Sequence, residues 1–209
     1  MKHLPRGLYA VTDGSDDGPL LARVEALLSG GAVLLQYRAK SLPVARRRDQ
    51  AQALLALCRE ARVPLVINDD LELASAIGAD GIHLGRDDAA PSLARERLGA
   101  DAIIGVSCYA DLARARTAVA AGADYVAFGS VHPSPTKPDA VRAPLELIAA
   151  ARRTLGCPIC AIGGITLANA PGIIAAGADL LAVITDLAEA ADPRARAEAY
   201  RALFVSSAT

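Results

Sequence analysis

Eight short apolar runs punctuate the chain: Leu8–Thr12, Val33–Tyr37, Leu65–Asn68, Gly81–Leu84, Ile103–Val106, Tyr125–Gly129, Ile159–Ile162 and Leu180–Ile184. Each has the length of a strand. Several are apolar at successive positions rather than at alternate ones, which is the pattern of parallel strands covered on both faces. Between them lie stretches with apolar residues at helical spacing, among them Val44–Arg62, Leu112–Ala121 and Leu145–Leu155.

A small repeat organises the alternation. Gly78-Ala79-Asp80, Gly122-Ala123-Asp124 and Gly177-Ala178-Asp179 each stand between a helical stretch and a strand-like run, and Gly30-Gly31-Ala32 holds the equivalent earlier place. Glycine there predicts a left-handed helix end and a direct turn into the next strand. Spacings of 47, 44 and 55 residues place one such turn before every second strand. That recurrence predicts a closed ring of eight, a compact (β/α)8 TIM barrel near the lower end of the size range for that fold. An open doubly wound sheet is the alternative, but no G-x-G-x-x-G follows the first run. With about 150 residues per domain as the guide, the 209 residues form one domain, 1–209, without a linker or low-complexity segment.

Composition narrows the function classes. Apolar residues make up 53% and charged residues 22%, which argues against disorder. A net charge of −1 excludes binding to polyanions by bulk charge, and two Phe, five Tyr and no Trp cannot build a stacking platform for single strands, so no nucleic-acid partner is expected. No apolar run is long enough to cross a membrane and the N-terminus has no signal-peptide core, so a cytoplasmic protein without a membrane partner is expected. The four cysteines are too few for a disulfide scaffold. Cys157-Pro158-Ile159-Cys160 has redox spacing but leads into a strand-like run, so packed thiols are expected. Of 22 basic residues only Lys2, Lys40 and Lys137 are lysines. Two lysines kept inside an arginine-rich chain point to tight phosphate contacts, where a compact ammonium is not replaced by a guanidinium fork.

In a barrel of this kind the chemistry lies at the C-terminal ends of the strands. The second strand ends Gln36-Tyr37-Arg38-Ala39-Lys40, where alternation places Gln36, Arg38 and Lys40 on one face, suited to a phosphate or diphosphate unless the cations are solvated loop charges. The third ends Asn68-Asp69-Asp70 and the fourth His83-Leu84-Gly85-Arg86-Asp87-Asp88. Asp69 and Asp88 can hold Mg²⁺ between them, since that ion takes one or two carboxylates with waters and ligand phosphates. Asp70 reads as a helix cap, and Asp87 can be one. His83 reads as a packed, hydrogen-bonded histidine. Ser107, at the fifth strand's end, either donates to a ligand or caps the next helix, and no nucleophile elbow surrounds it.

After the sixth strand, Ser134, Thr136 and Lys137 stand in a proline-stiffened loop able to rim an anion. Gly163-Gly164 after the seventh and the backbone at Ile184-Thr185 after the eighth match the recurrent phosphate site of such barrels. Two anion sites thus face one mouth, one cationic with carboxylates, the other built from glycine and hydroxyls. The expectation is an enzyme that joins or splits two phosphorylated small molecules.

From Gly7-Leu8-Tyr9-Ala10-Val11-Thr12-Asp13 to the Ala182–Leu187 segment, the chain resembles the thiamine phosphate synthase (thiamine-phosphate pyrophosphorylase) family. The most specific pieces are Gln36–Lys40, Ile67–Asp70, His83–Asp88, Pro133–Lys137 and Ala161–Ile165, in order and at these spacings. The resemblance implies a Mg²⁺-dependent transferase that joins hydroxymethylpyrimidine diphosphate to hydroxyethylthiazole phosphate and releases pyrophosphate. It implies that Gln36, Arg38, Lys40, Asn68, Ser107 and Lys137 hold the pyrimidine diphosphate, with Arg38, Lys40, Lys137 and Ser107 as catalytic groups. It further implies that Asp69 and Asp88 bind Mg²⁺, and that Ser134, Thr136, Gly164, Ile184 and Thr185 hold the thiazole phosphate. Four positions depart from the family pattern: Arg86 for a frequent Gln, Tyr109 for a frequent His, Ser134 for Thr and Thr185 for Ser. A thiazole tautomerase on the same barrel and a catalytically silent ligand-binding relative are the alternatives; the paired carboxylates and the Lys137 loop speak against both. A homo-oligomer is left open.

Overall fold

A computed structural model of the protein describes residues 4–14, 19–133 and 141–206. Eight strands alternate with helices: β1 (Gly7–Val11), α1 (Leu20–Ser29), β2 (Leu34–Tyr37), α2 (Val44–Ala61), β3 (Leu65–Asn68), α3 (Leu71–Ile77), β4 (Gly81–Leu84), α4 (Pro91–Leu98), β5 (Ile103–Tyr109), α5 (Leu112–Ala120), β6 (Tyr125–Phe128), α6 (Leu145–Thr154), β7 (Ile159–Ile162), α7 (Ala170–Ala175) and β8 (Leu180–Val183). Two further helices, α8 (Thr185–Ala188) and α9 (Pro193–Ser206), follow the last strand. All strands are parallel, and β8 returns to pair with β1 in a closed barrel. The expected (β/α)8 architecture is therefore present, and each predicted strand lies within two residues of an observed one at its start. β5 runs three residues further than expected, with a register irregularity between Ser107 and Tyr109.

The Gly-Ala-Asp repeat explains how the ring is held. Asp80 donates its backbone N–H to the Leu65 carbonyl and accepts the Leu65 N–H on its carboxylate at 2.8 Å. Asp124 brackets Ile104 in the same way, and Asp179 brackets Ile159, each with a carboxylate contact of 2.9 Å. The strand pairs β3/β4, β5/β6 and β7/β8 are thus clamped at their N-terminal ends. At the fourth place Val33 keeps only the backbone half, donating to the Leu8 carbonyl. Arginines neutralise two of the buried carboxylates: Arg95 reaches Asp124 at 2.7 Å, and Arg152 reaches Asp179 at 3.1 Å. The preceding glycines all have positive φ, but only Gly78 is itself the left-handed cap; Gly31, Gly122 and Gly177 come one residue after the cap.

Alternation along each strand separates two apolar layers. Outward residues such as Leu8, Leu35, Ile67 and Ile82 pack under the helices. Inward residues including Val11, Leu34, Val66, Ile103, Cys160 and Leu180 fill the barrel around Tyr9 and Tyr125. Tyr125 fits because its β5 neighbour is Gly105, where a Cβ would overlap the tyrosine ring. All four cysteines are free and buried, as the packed-thiol expectation has it, and burial raises the Cys157 thiol to about 11. No helix among the described residues is long and apolar enough to cross a membrane.

Replacing Asp124 with Ala leaves the buried Ile104 N–H without its side-chain acceptor and Arg95 without its carboxylate. The expected cost is about 1–3 kcal/mol, read as a lowered urea midpoint at unchanged denaturant slope. A midpoint equal to that of the unmodified chain would refute the clamp.

Candidate functional site

A cavity of about 600 Å³ opens at the C-terminal ends of the strands. Of the residues the sequence singles out, Gln36, Arg38, Asn68, Ser107, Gly164, Ile184 and Thr185 line it. Ser134, Thr136 and Lys137 lie outside the described residues. Lys40, Asp69 and Asp88 do not line the cavity but gather beside it at the β2–β4 ends. Lys40 pairs with the Asp69 carboxylate, 2.6 Å away.

Asp69 adopts a left-handed backbone (φ 64°), which an aspartate tolerates. The turn brings its carboxyl to face that of Asp88, and each perturbs the other's ionisation. Burial opposes ionisation of Asp69, but the Lys40 ammonium and the Asp88 contact override it and hold Asp69 below the usual carboxylate range. Burial and the facing Asp69 carboxylate push Asp88 upward. Facing carboxyls repel when both are ionised, and a cation between them relieves that repulsion. Asp88 also closes its own turn by accepting the Gly85 N–H at 2.6 Å. No group of three or more His, Cys, Asp or Glu able to hold a metal occurs among the described residues. A carboxylate pair beside a cationic rim is the donor set Mg²⁺ accepts when ligand oxygens and water complete its shell.

The cap assignments resolve. Asp70 caps α3 by accepting the Leu73 N–H at 2.9 Å, as read from the sequence. Asp87 caps nothing; α4 begins after Ala90 and Asp87 lines the cavity. Ser107 does not cap α5, since Asp111 does so at 3.0 Å, and it faces the cavity instead.

The cavity floor is a buried run of polar groups from five strands. Gln36 Nε2 donates to the Tyr9 hydroxyl at 2.6 Å, and the Tyr9 and Tyr125 hydroxyls lie 2.7 Å apart. Tyr125 meets His83 Nδ1 at 2.9 Å, and His83 Nε2 meets Ser107 Oγ at 2.8 Å. His83 is thus the packed, hydrogen-bonded histidine expected. Its burial lowers its pKa from 6.5 to about 4, so it is neutral at pH 7. Burial likewise raises both tyrosines, which keep their protons. The sequence reading missed Tyr9 and Tyr125; the available signal was Gly105, a strand-interior glycine that marks a bulky neighbour.

Three more groups escaped it. Thr12 exchanges hydrogen bonds with both backbone groups of Arg38, at 2.8 and 2.9 Å, fixing that arginine at the mouth. Asp186 lines the cavity, its carboxylate held by Arg196 at 2.6 Å and the Tyr200 hydroxyl at 2.7 Å. Arg114 ties the ends of β4 and β5 through the Gly85 and Ser107 carbonyls. Tyr109, in the left-handed region (φ 54°), has Arg86 at 4.7 Å and Arg114 at 5.9 Å from its ring centre. The two departures Arg86 and Tyr109 therefore contact each other. Gly163 and Gly164 also have a packing role, since a Cβ on either would strike the Ser130–Pro133 segment.

A model of the family described as thiamine monophosphate synthase matches residues 8–187. The chain belongs to this family. Among curated relatives of the thiamine monophosphate synthase family, the thiamine-phosphate synthase of Azoarcus sp. (strain BH72) is 61% identical over 95% of this chain and 97% of its own. That of Aromatoleum aromaticum is 58% identical over 95% and 96%. Among solved structures, thiamine phosphate pyrophosphorylase from Pyrococcus furiosus superposes with a TM-score of 0.87 at 34% identity, covering 96% of each chain. In this family member Gln36, Arg38, Asn68, Ser107, Gly164, Ile184 and Thr185, at or just after the strand ends, line one cavity.

The histidine carries a pH signature. The unfolded chain protonates His83 near 6.5 and the folded chain only near 4, so acid favours the unfolded state and stability falls as pH drops through that window. From pH 6.5 to 5.5 this contributes a loss of roughly 1 kcal/mol. Urea melts should show His83→Gln removing that part of the slope; equal slopes in both proteins would place the histidine's titration elsewhere.

Proposed function

We propose that the chain is a thiamine-phosphate synthase acting in the cytoplasm on two small-molecule substrates. The C–O bond from the pyrimidine methylene to the diphosphate breaks, the thiazole nitrogen bonds to that carbon, and pyrophosphate leaves. One observation carries the reading: Arg38 and the Gly164, Ile184 and Thr185 rim line a single cavity, and the Lys40–Asp69 pair with Asp88 stands beside its Arg38 side. Arg38 faces that cavity with its backbone pinned by Thr12, so its charge is available to the leaving diphosphate without rearrangement. Asn68, Gln36 and Ser107 supply neutral hydrogen-bonding groups around the pyrimidine. Lys40 and, from the loop outside the described residues, Lys137 add charge on the diphosphate side.

Asp69 and Asp88 would hold Mg²⁺, which when bound neutralises charge on the diphosphate oxygens. The backbone at Gly164, Ile184 and Thr185, with Ser134 and Thr136, would take the thiazole phosphate. Holding both substrates under one mouth supplies orientation that free collision does not. No group in the cavity is needed as a strong base, and His83, neutral and enclosed, does not act as one. A tautomerase has no use for the Asp69–Asp88 pair.

The test is direct. Purified protein with both substrates and Mg²⁺ is expected to yield thiamine phosphate and equimolar pyrophosphate, and EDTA to stop both. Asp88→Ala should lower kcat/KM by about 10²-fold or more, the scale of losing one electrostatic contact to developing charge, with the fold intact by circular dichroism. Isomerised thiazole phosphate without condensation would move the chain to the tautomerase reading, and near-normal turnover in Asp88→Ala would end the metal assignment.

A further inference from the structure

The floor of the cavity has a direction. Gln36, Tyr9, Tyr125, His83 and Ser107 follow one another at 2.6, 2.7, 2.9 and 2.8 Å. Gln36 is 3% exposed, Tyr9 1%, Tyr125 0% and His83 7%, so although Gln36, Tyr9 and His83 touch the cavity wall, each finds its close partner in the next member of the run. Each phenol owns one hydrogen, and a neutral imidazole one N–H. The hydrogens can therefore be assigned from one end. Gln36 donates to Tyr9, so the Tyr9 hydrogen goes to Tyr125. The Tyr125 hydrogen then goes to Nδ1 of His83, which must be bare. The ring hydrogen is consequently on Nε2 and is given to Ser107 Oγ. The Ser107 hydroxyl hydrogen is the one left over, and Ser107 borders the cavity.

We propose that Tyr9, Tyr125 and His83 are positioning residues forming a one-way donor chain that makes the Ser107 hydroxyl a hydrogen-bond donor to the pyrimidine substrate. The inference rests on the synthase reading for the identity of that substrate, but the direction of the chain does not depend on it. Its origin is the Gln36 amide, four links away. Replacing that amide with a carboxylate, which only accepts, reverses every link: Tyr9 donates to residue 36, Tyr125 to Tyr9, and Nδ1–H to Tyr125. Nε2 is then bare and accepts from Ser107, whose hydrogen is withdrawn from the cavity.

Two measurements decide it. Long-range ¹H–¹⁵N correlation spectra of the substrate-free protein, with His83 assigned by its loss in His83→Gln, should show protonated Nε2 and bare Nδ1. Gln36→Glu at pH 8 should show the opposite tautomer. The Nδ1–H form in the unmodified protein, or no change in Gln36→Glu, overturns the chain whatever the enzyme's activity. In kinetics, asparagine at 83 can mimic Nδ1 but not Nε2, and glutamine the reverse. His83→Asn should lower kcat/KM for the pyrimidine diphosphate about 10–100-fold and leave KM for the thiazole phosphate within twofold; His83→Gln should recover about tenfold of that loss. Equal losses in the two variants, at equal melting temperatures, overturn the positioning role. Absence of thiamine phosphate with the unmodified protein would instead overturn the synthase reading, while the tautomer spectra still judge the chain.

Discussion

Everything at the open end of this barrel depends on how its closed end is pinned. In a ring of eight parallel strands, displacing one strand along its neighbour by a single residue would turn its inward side chains outward. Asp80, Asp124 and Asp179 guard against that displacement by gripping both backbone groups of one residue on the preceding strand. A carboxylate accepting a backbone N–H is short, directional and costly to lose once buried. With the register fixed below, Gln36, Asn68 and Ser107 reach one cavity at the mouth, although they are far apart in the chain.

The barrel interior between these two ends divides its work. Below, Leu34, Val66, Ile103 and Leu180 make an ordinary apolar filling. Above them the tyrosine pair, meeting edge to face with centroids 5.8 Å apart, brings two hydroxyls into the middle of the barrel. His83 stacks on Tyr125 with ring centres 5.6 Å apart, and so joins packing and hydrogen bonding in one contact. The aromatic bodies seal the core while their polar edges form the floor of the cavity. Such a floor is rigid because each member is held by packing on its faces and by a partner at its edge.

Strand ends were legible in the sequence because they obey two simple rules: alternation fixes which residues share a face, and the barrel fixes which end carries chemistry. Gln36, Arg38, Asn68, Ser107, Gly164, Ile184 and Thr185 follow from those rules and do line the cavity. Lys40 follows the same alternation, and its pairing with Asp69, 2.6 Å away, needed the fold that brings the β2 and β3 ends together. Asp87 was ambiguous because the same residue type serves caps and sites; only the start of α4 after Ala90 resolves it. Tyr9 and Tyr125 were hidden among apolar neighbours, since a tyrosine inside a strand gives no sign of where its hydroxyl ends. Asp186 was hidden because its partners, Arg196 and Tyr200, lie on the final helix, beyond the eightfold pattern.

The stacked Arg86 and Tyr109 have a consequence for how this chain can change by descent. Tyr109 occupies a backbone conformation unfavourable to a bulky residue, and the guanidiniums of Arg86 and Arg114 offset that strain by covering its ring. Exchange of Arg86 alone leaves the tyrosine ring with only the more distant Arg114, and exchange of Tyr109 alone removes the ring against which Arg86 lies. Each substitution is thus more costly without the other. The two positions form an epistatic pair that is expected to be inherited together and to vary together across lineages.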